Sequence, residues 1–200
     1  SYFSLFILRK LAIKFDIVDF PGRRKVHKEP TPLLGGMAIF FGIVVILCLK
    51  PIIFKEILPI FIGATLMLMV NLIDDIKELS ANFRFSIEFI IALGVILLGV
   101  KVSFLPSGFL WDLGESVITL IWLIGITNAF NYLDGIDGLA TGLAAISAFF
   151  FSLVLFNLNQ FHLGIFVIIF IAACLGFLPH NFKKEKIFLG DAGSTFIGFT

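Results

Sequence analysis

The fold of this chain is decided by residues 138–182, GLATGLAAISAFFFSLVLFNLNQFHLGIFVIIFIAACLGFLPHNF, a run of 45 residues without Asp, Glu, Lys or Arg. A helix that crosses a hydrocarbon core of ~30 Å needs about 20 residues, so the run is too long for one helix. Polar residues interrupt it once, at Asn157-Leu158-Asn159-Gln160. The run therefore predicts two membrane-spanning helices joined by a short turn.

The composition of the whole chain also indicates a protein surrounded by membrane lipid. Of its 200 residues 59% are apolar and 14% are charged, and the mean hydropathy is +1.07. Soluble domains average ~45–50% apolar and ~25% charged residues, and a soluble fold of this size could not hide so much apolar surface. These numbers exclude a disordered chain, a collagen-like repeat and a disulfide scaffold. The net charge of +1 gives no reason to expect a nucleic-acid partner. Cys48 and Cys174 lie in apolar runs, and we expect buried free thiols.

Four further runs are long enough to be spans, and apolar stubs stand at both ends of the chain. They cover residues 30–49, 57–73, 116–133 and 85–102, the last of which carries one acid, Glu88. The predicted fold is all-α, a polytopic transmembrane helical bundle with six complete spans and a truncated helix at each end. We expect residues 1–200 to form a single integral-membrane domain that is a fragment lacking C-terminal helices.

The charged residues are distributed unequally between the two sides of the bundle. If the spans alternate in direction, 12 of the 15 Lys and Arg fall on one side, and only Lys50, Lys55 and Lys101 fall on the other. The positive-inside rule makes the first side cytoplasmic. Ionisable groups at membrane depth are costly and are functional candidates by default. Five acids share the cytoplasmic side, and they come from separate parts of the chain: Asp74, Asp75, Asp134, Asp137 and Asp191.

The first motif is a basic loop at residues 19–32, DFPGRRKVHKEPTP, which enters a helix through Gly35-Gly36. Its cations suit phosphate groups, for which Arg and Lys are the usual counter-charges. The alternative is that the cations only follow from the topology and that the glycine pair allows close helix packing.

The second motif is Asp74-Asp75 at a predicted cytoplasmic helix end. Adjacent helical residues diverge by ~100°, so the two carboxylates cannot share one role by pointing the same way. One could engage a metal or a proton while the other orients a neighbour. The alternative is a solvated helix terminus, but acids at a helix C-terminus oppose the macrodipole, which favours a function.

The third motif places Asn128, Asn131, Asp134 and Asp137 three residues apart, so each neighbours the next on a helix or tight turn. Four polar side chains beside lipid would be expensive, and we expect them to face a polar cavity. Interhelical hydrogen bonding is an alternative role for the two Asn. The Asp-Gly steps mark places where backbone can approach a ligand closely.

The fourth motif is Gly190-Asp191-Ala192-Gly193-Ser194, a loop that enters a helix. Such a loop offers backbone N–H groups to an anion and one carboxylate to a hard cation. Magnesium is usually held by one or two carboxylates together with substrate phosphates and water. Beside the other acids on the same face, the motif predicts a Mg²⁺ site with Asp191 as the ligand, and Mn²⁺ is a possible substitute.

Taken together and in this order, the four motifs resemble the polyprenyl-phosphate N-acetylhexosamine-1-phosphate transferases (glycosyltransferase family 4). That family includes the undecaprenyl-phosphate GlcNAc-1-phosphate transferases and phospho-MurNAc-pentapeptide translocase. The D-x-P-x-x-R-K-x-H pattern from Asp19 to His27 is similar to the GlcNAc-1-phosphate branch. The resemblance implies transfer of N-acetylhexosamine-1-phosphate from a UDP-sugar to undecaprenyl phosphate with release of UMP, the initiating step of cell-envelope glycan synthesis.

The resemblance also implies roles for individual residues. Asp191 would be the Mg²⁺ ligand, and Asp74 would deprotonate the lipid phosphate or act as a nucleophile in a two-step scheme, with Asp75 assisting. The residues implied to contact the nucleotide sugar are Asp134, Asp137, Asn128 and Asn131. Asn181 and Phe188 would contact the uracil, Phe188 by stacking. Phosphate contacts are implied for Arg23, Lys25 and His27. Magnesium and cations fit the chemistry, because both substrates are anionic and phosphoryl transfer relies on positioning and charge neutralisation.

The implied setting is a bacterial cytoplasmic membrane, with membrane lipid around the bundle, the site on its cytoplasmic face and a homodimer as a possible assembly. The family has a later His-rich cytoplasmic loop that this sequence does not contain. A CDP-alcohol phosphotransferase is a competing enzyme, but its D-G-x-x-A-R pattern is absent after Asp134-Gly135. A secondary transporter with a cytoplasmic acidic site is the alternative from another class, although transporters place such residues near the bilayer midplane.

Overall fold

The secondary structure of this bundle is mainly helical. The computed structural model describes residues 1–21, 30–77, 79–182 and 187–200, and over these residues it has eight helices and a two-stranded sheet. In chain order the elements are α1 (Ser4–Lys14), β1 (Val18–Asp19), β2 (Thr31–Pro32), α2 (Gly35–Cys48), α3 (Pro51–Lys77), α4 (Ala81–Leu97), α5 (Phe109–Leu133), α6 (Leu139–Asn157), α7 (Phe161–Phe182) and α8 (Gly190–Phe199).

Six helices, α2 to α7, stand between the two short terminal ones, which confirms the predicted all-α membrane bundle. Within the described ranges, four of them are long and apolar enough to cross a membrane, namely α3, α5, α6 and α7. The other two are shorter: α2 has 14 residues and α4 has 17. At 1.5 Å per residue they reach about 21 and 26 Å, less than a hydrocarbon core of ~30 Å.

The long apolar run divides where its polar residues predict. Helix α6 ends at Asn157 and α7 begins at Phe161. Asn159 has φ of 57°, and the N–H of Gln160 donates to the Leu155 carbonyl at 2.9 Å. A left-handed residue after a helix is the usual way to reverse the chain. The two helices then pack against each other along their lengths. In the second of them Cys174 is buried, as predicted, whereas Cys48 at the end of α2 is exposed, which corrects that expectation.

Helix α8 has ten residues, yet it lies at the centre of the bundle, against α2, α3 and α5. Its Phe196 is fully buried and packs edge-on against Phe40 and Phe61, with ring centroids 5.7 and 6.4 Å apart. The backbones of α2 and α8 cross so closely that a Cβ atom added to Gly36 would overlap the Cα of Gly193. The glycine pair at the start of α2 therefore permits close helix packing, one of the two interpretations of its sequence.

The ends of the predicted basic loop pair as a small antiparallel sheet, in which Val18 faces Pro32 and Asp19 faces Thr31. The chain after this sheet joins the segment before α8. The N–H of Phe188 donates to the Pro32 carbonyl at 2.8 Å, and the N–H of Gly35 donates to the Phe188 carbonyl at 3.0 Å. Because of this pairing, α2 begins at residue 35 and not at residue 30, where the predicted apolar run begins. The same pairing holds the N-terminus of α8 in place.

Candidate functional site

The site is built at one end of the bundle, where α3 ends, α4 and α8 begin and α5 ends. Asp74 lies near the end of α3 and is 9% exposed. Its Oδ1 accepts from the N–H of Leu79 at 2.6 Å, and its Oδ2 accepts from Nη1 of Arg84 at 2.8 Å. Both oxygens thus bind the turn and the first residues of α4, so Asp74 fixes how α4 follows α3.

Arg84 connects Asp74 to the fourth motif. The same Nη1 atom that binds Asp74 also donates to Oδ2 of Asp191 at 3.0 Å. The Nε atom of Arg84 lies 3.9 Å from Oε1 of Glu88, one helical turn further along α4. A single guanidinium nitrogen therefore bridges carboxylates from α3 and α8, two segments that are distant in the sequence.

Asp75 points to a different neighbour from Asp74, as helical geometry predicts for adjacent residues. Its two oxygens accept from the backbone N–H groups of Asp191 and Ala192, at 3.1 and 3.2 Å. Asp75 is thereby an N-terminal cap for α8 supplied by another helix, and it satisfies donors that a helix start leaves open. The anion that the fourth motif was expected to bind through its N–H groups is, in this structure, the carboxylate of Asp75.

Gly190 has a conformation and a location that no larger residue would share. Its φ is +78°, in the left-handed region, and an added Cβ would lie 2.8 Å from the Leu33 carbonyl oxygen and 2.9 Å from Oδ2 of Asp75. Glycine adopts positive φ without steric cost. The glycine before Asp191 is therefore explained by the approach of Asp75.

The two asparagines of the third motif make interhelical hydrogen bonds, the alternative role given to them from the sequence. Nδ2 of Asn128 donates to Oε2 of Glu88 at 2.9 Å, and Nδ2 of Asn131 donates to Oγ of Ser194 at 3.1 Å. They connect α5 to α4 and to α8 respectively. Their role as substrate contacts stays a prediction.

Asp134 follows the last residue of α5 and belongs to the same acidic cluster. Burial, together with repulsion from the carboxylates of Asp191, Asp75 and Asp137, raises the pKa of its carboxyl to about 8. A hydrogen bond from the backbone N–H of Gly190 acts in the opposite direction. A carboxyl with so high a pKa marks a place where negative charge is in excess and a bound cation would be stabilised. Asp137, in the turn before α6, is exposed.

Asn181 and Phe188 lie where three segments of the chain meet. Oδ1 of Asn181 accepts from the N–H of Gly138 at 2.5 Å, and Nδ2 donates to the Ile187 carbonyl at 3.1 Å. Asn181 is 3% exposed, and its amide joins the end of α7 to the start of α6 and to the segment before α8. The side chain of Phe188 is half-buried. Their predicted contacts with uracil stay predictions, as do those of Arg23, Lys25 and His27, which lie outside the described residues.

Arg84 and Glu88 are the site residues that the sequence motifs missed. Glu88 is 1% exposed, and Arg84 precedes it by four residues on the same helix face. The signal was present, because an acid inside an apolar span is costly unless it has a partner or a function. The sequence gives no indication that α4 packs against α3 and α5, which brings both side chains to the cluster.

The carboxylates of this cluster suit a hard divalent cation. Among the described residues there is no group of three or more His, Cys, Asp or Glu side chains that could enclose a metal. The side chain of Asp191 is 41% exposed, and Asp134 stands close enough for electrostatic repulsion between the two. Open carboxylate oxygens, one or two in number, are the donor set that Mg²⁺ uses when substrate oxygens and water complete its shell. The residues present therefore fit Mg²⁺, and the carboxylate of Asp191 is accessible. Its role as the metal ligand stays a prediction.

Comparison with known proteins gives this geometry a family. The profile described as "Glycosyl transferase family 4" matches residues 57–200. The chain is 36% identical to the probable undecaprenyl-phosphate N-acetylglucosaminyl 1-phosphate transferase of Bacillus subtilis, over 97% of this chain and 56% of that protein. It is 33% identical to the decaprenyl-phosphate N-acetylglucosaminephosphotransferase of Mycolicibacterium smegmatis, over 99% and 55%. It is 32% identical to the undecaprenyl-phosphate alpha-N-acetylglucosaminyl 1-phosphate transferase of Yersinia pestis, over 98% and 56%.

The chain thus spans little more than half the length of these relatives. The family profile begins after the first motif and includes the other three. The family profile covers Asp74, Asp75, the third motif and Asp191, which are the acids that the structure assembles at one end of the bundle. The chain belongs to glycosyl transferase family 4.

Proposed function

We propose that the protein transfers N-acetylhexosamine-1-phosphate, specifically GlcNAc-1-phosphate, from UDP-GlcNAc to undecaprenyl phosphate and releases UMP. The observation that carries the proposal is the assembly of Asp74, Asp75 and Asp191 around Arg84 and the N-terminus of α8. The relatives named above are transferases of N-acetylglucosamine phosphate to polyprenyl phosphates, which supports the same acceptor class and sugar phosphate here. The product would begin the synthesis of a cell-envelope glycan.

In this reaction an oxygen of the lipid phosphate bonds to the phosphorus that carries the sugar, and the bond from that phosphorus to the bridging oxygen breaks, so that UMP leaves. Mg²⁺ at Asp191 would neutralise charge on the phosphate oxygens. Asp74 is proposed to take the proton of the lipid phosphate, or to attack in a two-step scheme. Asp75 holds the backbone of Asp191, so its part is to orient the metal ligand.

The location of the acids favours this transferase over a transporter. Asp74 and Asp75 lie in the last four residues of α3, Asp134 follows α5, and Asp191 is in the first turn of α8. A transporter would place its charged residues near the bilayer midplane. The chain is a multi-pass membrane protein, and we propose that the site faces the cytoplasm of a bacterial cell, because Lys77 and Arg84 belong to the cation-rich side.

The test is release of UMP from UDP-GlcNAc by the full-length protein in detergent, with undecaprenyl phosphate and Mg²⁺ present. UDP-GalNAc and UDP-glucose in the same assay define the donor. We expect transfer to depend on both substrates and on Mg²⁺, and to be lost in Asp74→Asn and in Asp191→Asn. Retained turnover in both variants would overturn the proposed mechanism, and absence of UMP release with every donor would overturn the function.

A further inference from the structure

We infer that Arg84 competes with the divalent cation for Asp191, and that it releases Asp191 by moving toward Glu88. This inference rests on the proposed function, because it concerns the metal ligand of that reaction. In the structure, Nη1 of Arg84 lies between Oδ2 of Asp74 and Oδ2 of Asp191, at 2.8 and 3.0 Å. One positively charged atom thus occupies the space between two carboxylates, where a metal ion could otherwise bind.

The guanidinium of Arg84 stays charged at every physiological pH, so its competition with a cation does not depend on proton loss. A cation that bound Oδ2 of Asp191 would displace the hydrogen bond from Nη1, and it would meet a like charge if Arg84 stayed in place. The Arg84 side chain is 26% exposed and the Asp191 side chain 41%. Both therefore have room to rearrange when a cation or a phosphate enters.

Glu88 offers Arg84 a second position. Its Oε2 is held by Asn128 at 2.9 Å, whereas its Oε1 has no hydrogen-bond partner among the described residues, even though Glu88 is 1% exposed. A buried carboxyl oxygen without a donor is costly, and such atoms are rare in folded proteins. The nearest cationic atom recorded for it is Nε of Arg84, at 3.9 Å, outside hydrogen-bond range.

These contacts define two states of one side chain. In the state seen here, Arg84 binds Asp74 and Asp191, and no donor from the part of the chain that the structure describes reaches Oε1 of Glu88. In the other state, Arg84 keeps Asp74, turns its Nε to Glu88 and leaves Asp191 free for the metal. Before substrate arrives, Arg84 therefore offsets part of the negative charge of the cluster, and the phosphates that enter with the metal favour the second state.

The experiment is a titration of the full-length protein with Mn²⁺, followed by electron paramagnetic resonance of free Mn²⁺, without nucleotide sugar or lipid phosphate. We expect Arg84→Gln to bind Mn²⁺ about tenfold more tightly than the unmodified protein, the factor that loss of one hydrogen bond between charged groups corresponds to. Arg84→Lys, which keeps the charge, should stay within about threefold of the unmodified protein. The added affinity should disappear in the double variant Arg84→Gln, Asp191→Asn.

Glu88→Gln tests the second position of Arg84, and this single variant leaves Arg84 itself unchanged. We expect it to weaken Mn²⁺ binding by about threefold, because Arg84 then has no charged partner other than Asp74 and Asp191. This effect should be absent when Arg84 is already Gln, as a double-mutant cycle would show. Equal or weaker Mn²⁺ binding by Arg84→Gln, or an effect of Glu88→Gln that persists without Arg84, would overturn the inference. Because the titration contains neither substrate, its outcome is separate from that of the transfer assay.

Discussion

The two ends of the bundle both contain buried carboxyl groups, but they treat them in opposite ways. At the end away from the site, Glu115 is 4% exposed, and its Oε1 accepts from the N–H groups of Phe104 and Leu105, each at 2.9 Å. Its other oxygen lies 3.5 Å from Nζ of Lys101, which also binds Asp112 at 2.7 Å. Every oxygen of Glu115 thus has a donor or a counter-charge.

At the site end, the carboxyl groups of Asp74, Asp75, Asp134, Asp191 and Glu88 outnumber the one cation that binds among them in the described residues, Arg84. Within the described ranges Oε1 of Glu88 has no hydrogen bond, and the pKa of Asp134 is raised to about 8. At the end away from the site, both carboxyl oxygens of Glu115 have partners within the fold, and Glu115 holds the connection from α4 to α5. The carboxyl groups at the site end are left short of positive charge, as expected where a cation and phosphates are to bind.

The largest expected effect is on the metal ligand. Asp191→Asn should lower the rate of UMP release by about a thousandfold, because it removes the charge that stabilises the metal at the reacting phosphates. Asp112→Asn is the matched control at the other end, where we expect an unchanged rate. A rate for Asp191→Asn within tenfold of the unmodified protein would remove the distinction between the two ends.

The close crossing of α2 and α8 should not tolerate a side chain. Gly36→Val places methyl groups against the backbone of Gly193, and we expect it to lower the free energy of unfolding by about 3 kcal/mol. Gly94 on α4 has open space around it, so Gly94→Ala should be neutral or slightly stabilising. Thermal unfolding in one detergent compares the two variants. Equal stability of Gly36→Val and the unmodified protein would show that α8 does not need the contact.

A smaller effect on stability, and none on catalysis, is expected at the end of the bundle away from the site. Glu115→Ala leaves the N–H groups of Phe104 and Leu105 without their acceptor and should cost about 1–3 kcal/mol. The midpoint of thermal unfolding measures the loss, and the rate of UMP release per folded molecule should stay the same. A fall in that rate would mean that the two ends are coupled.

A further effect concerns the pH dependence of stability in the metal-free protein. The folded protein holds the pKa of Asp134 at about 8, above the unfolded value of 3.8, so the proton is bound more tightly in the folded state. The resulting stability is present in full below pH 3.8 and is lost as the pH rises toward 8. In EDTA, the unmodified protein should therefore lose more thermal stability between pH 5 and about 8.5 than Asp134→Asn does. Parallel curves for the two proteins would contradict the raised pKa.

The sequence predicted those parts of the molecule that depend on local pattern. Hydrophobic runs located the helices, and the polar break at residues 157–160 located the turn between α6 and α7. The divergence of Asp74 and Asp75 followed from helix geometry alone. The convergence of the acids on one end followed from counting spans, because each span reverses the direction of the chain.

What the sequence did not predict depends on which helix packs against which. The partners of Asn128 and Asn131 are on α4 and α8, and hydrophobic periodicity carries no information about that choice. For the same reason the sequence placed Arg84 on the cation-rich side but did not predict its ion pairs with Asp74 and Asp191. The two-residue strands at 18–19 and 31–32 are too short for any periodic signal, so the later start of α2 was also missed.

The central helix is also the last of the eight to be synthesised, and this has a consequence for biogenesis. Asp75 leaves the ribosome 116 residues before Asp191, an interval of about 6 to 23 seconds at translation rates of roughly 5–20 residues per second. During that time the helices that precede α8 have no α8 between them. The carboxyl groups at the end of α3 can wait at the water boundary, where hydration replaces the backbone N–H groups that later bind Asp75. The contacts between Asp75 and α8 therefore form only after these ten residues have been made.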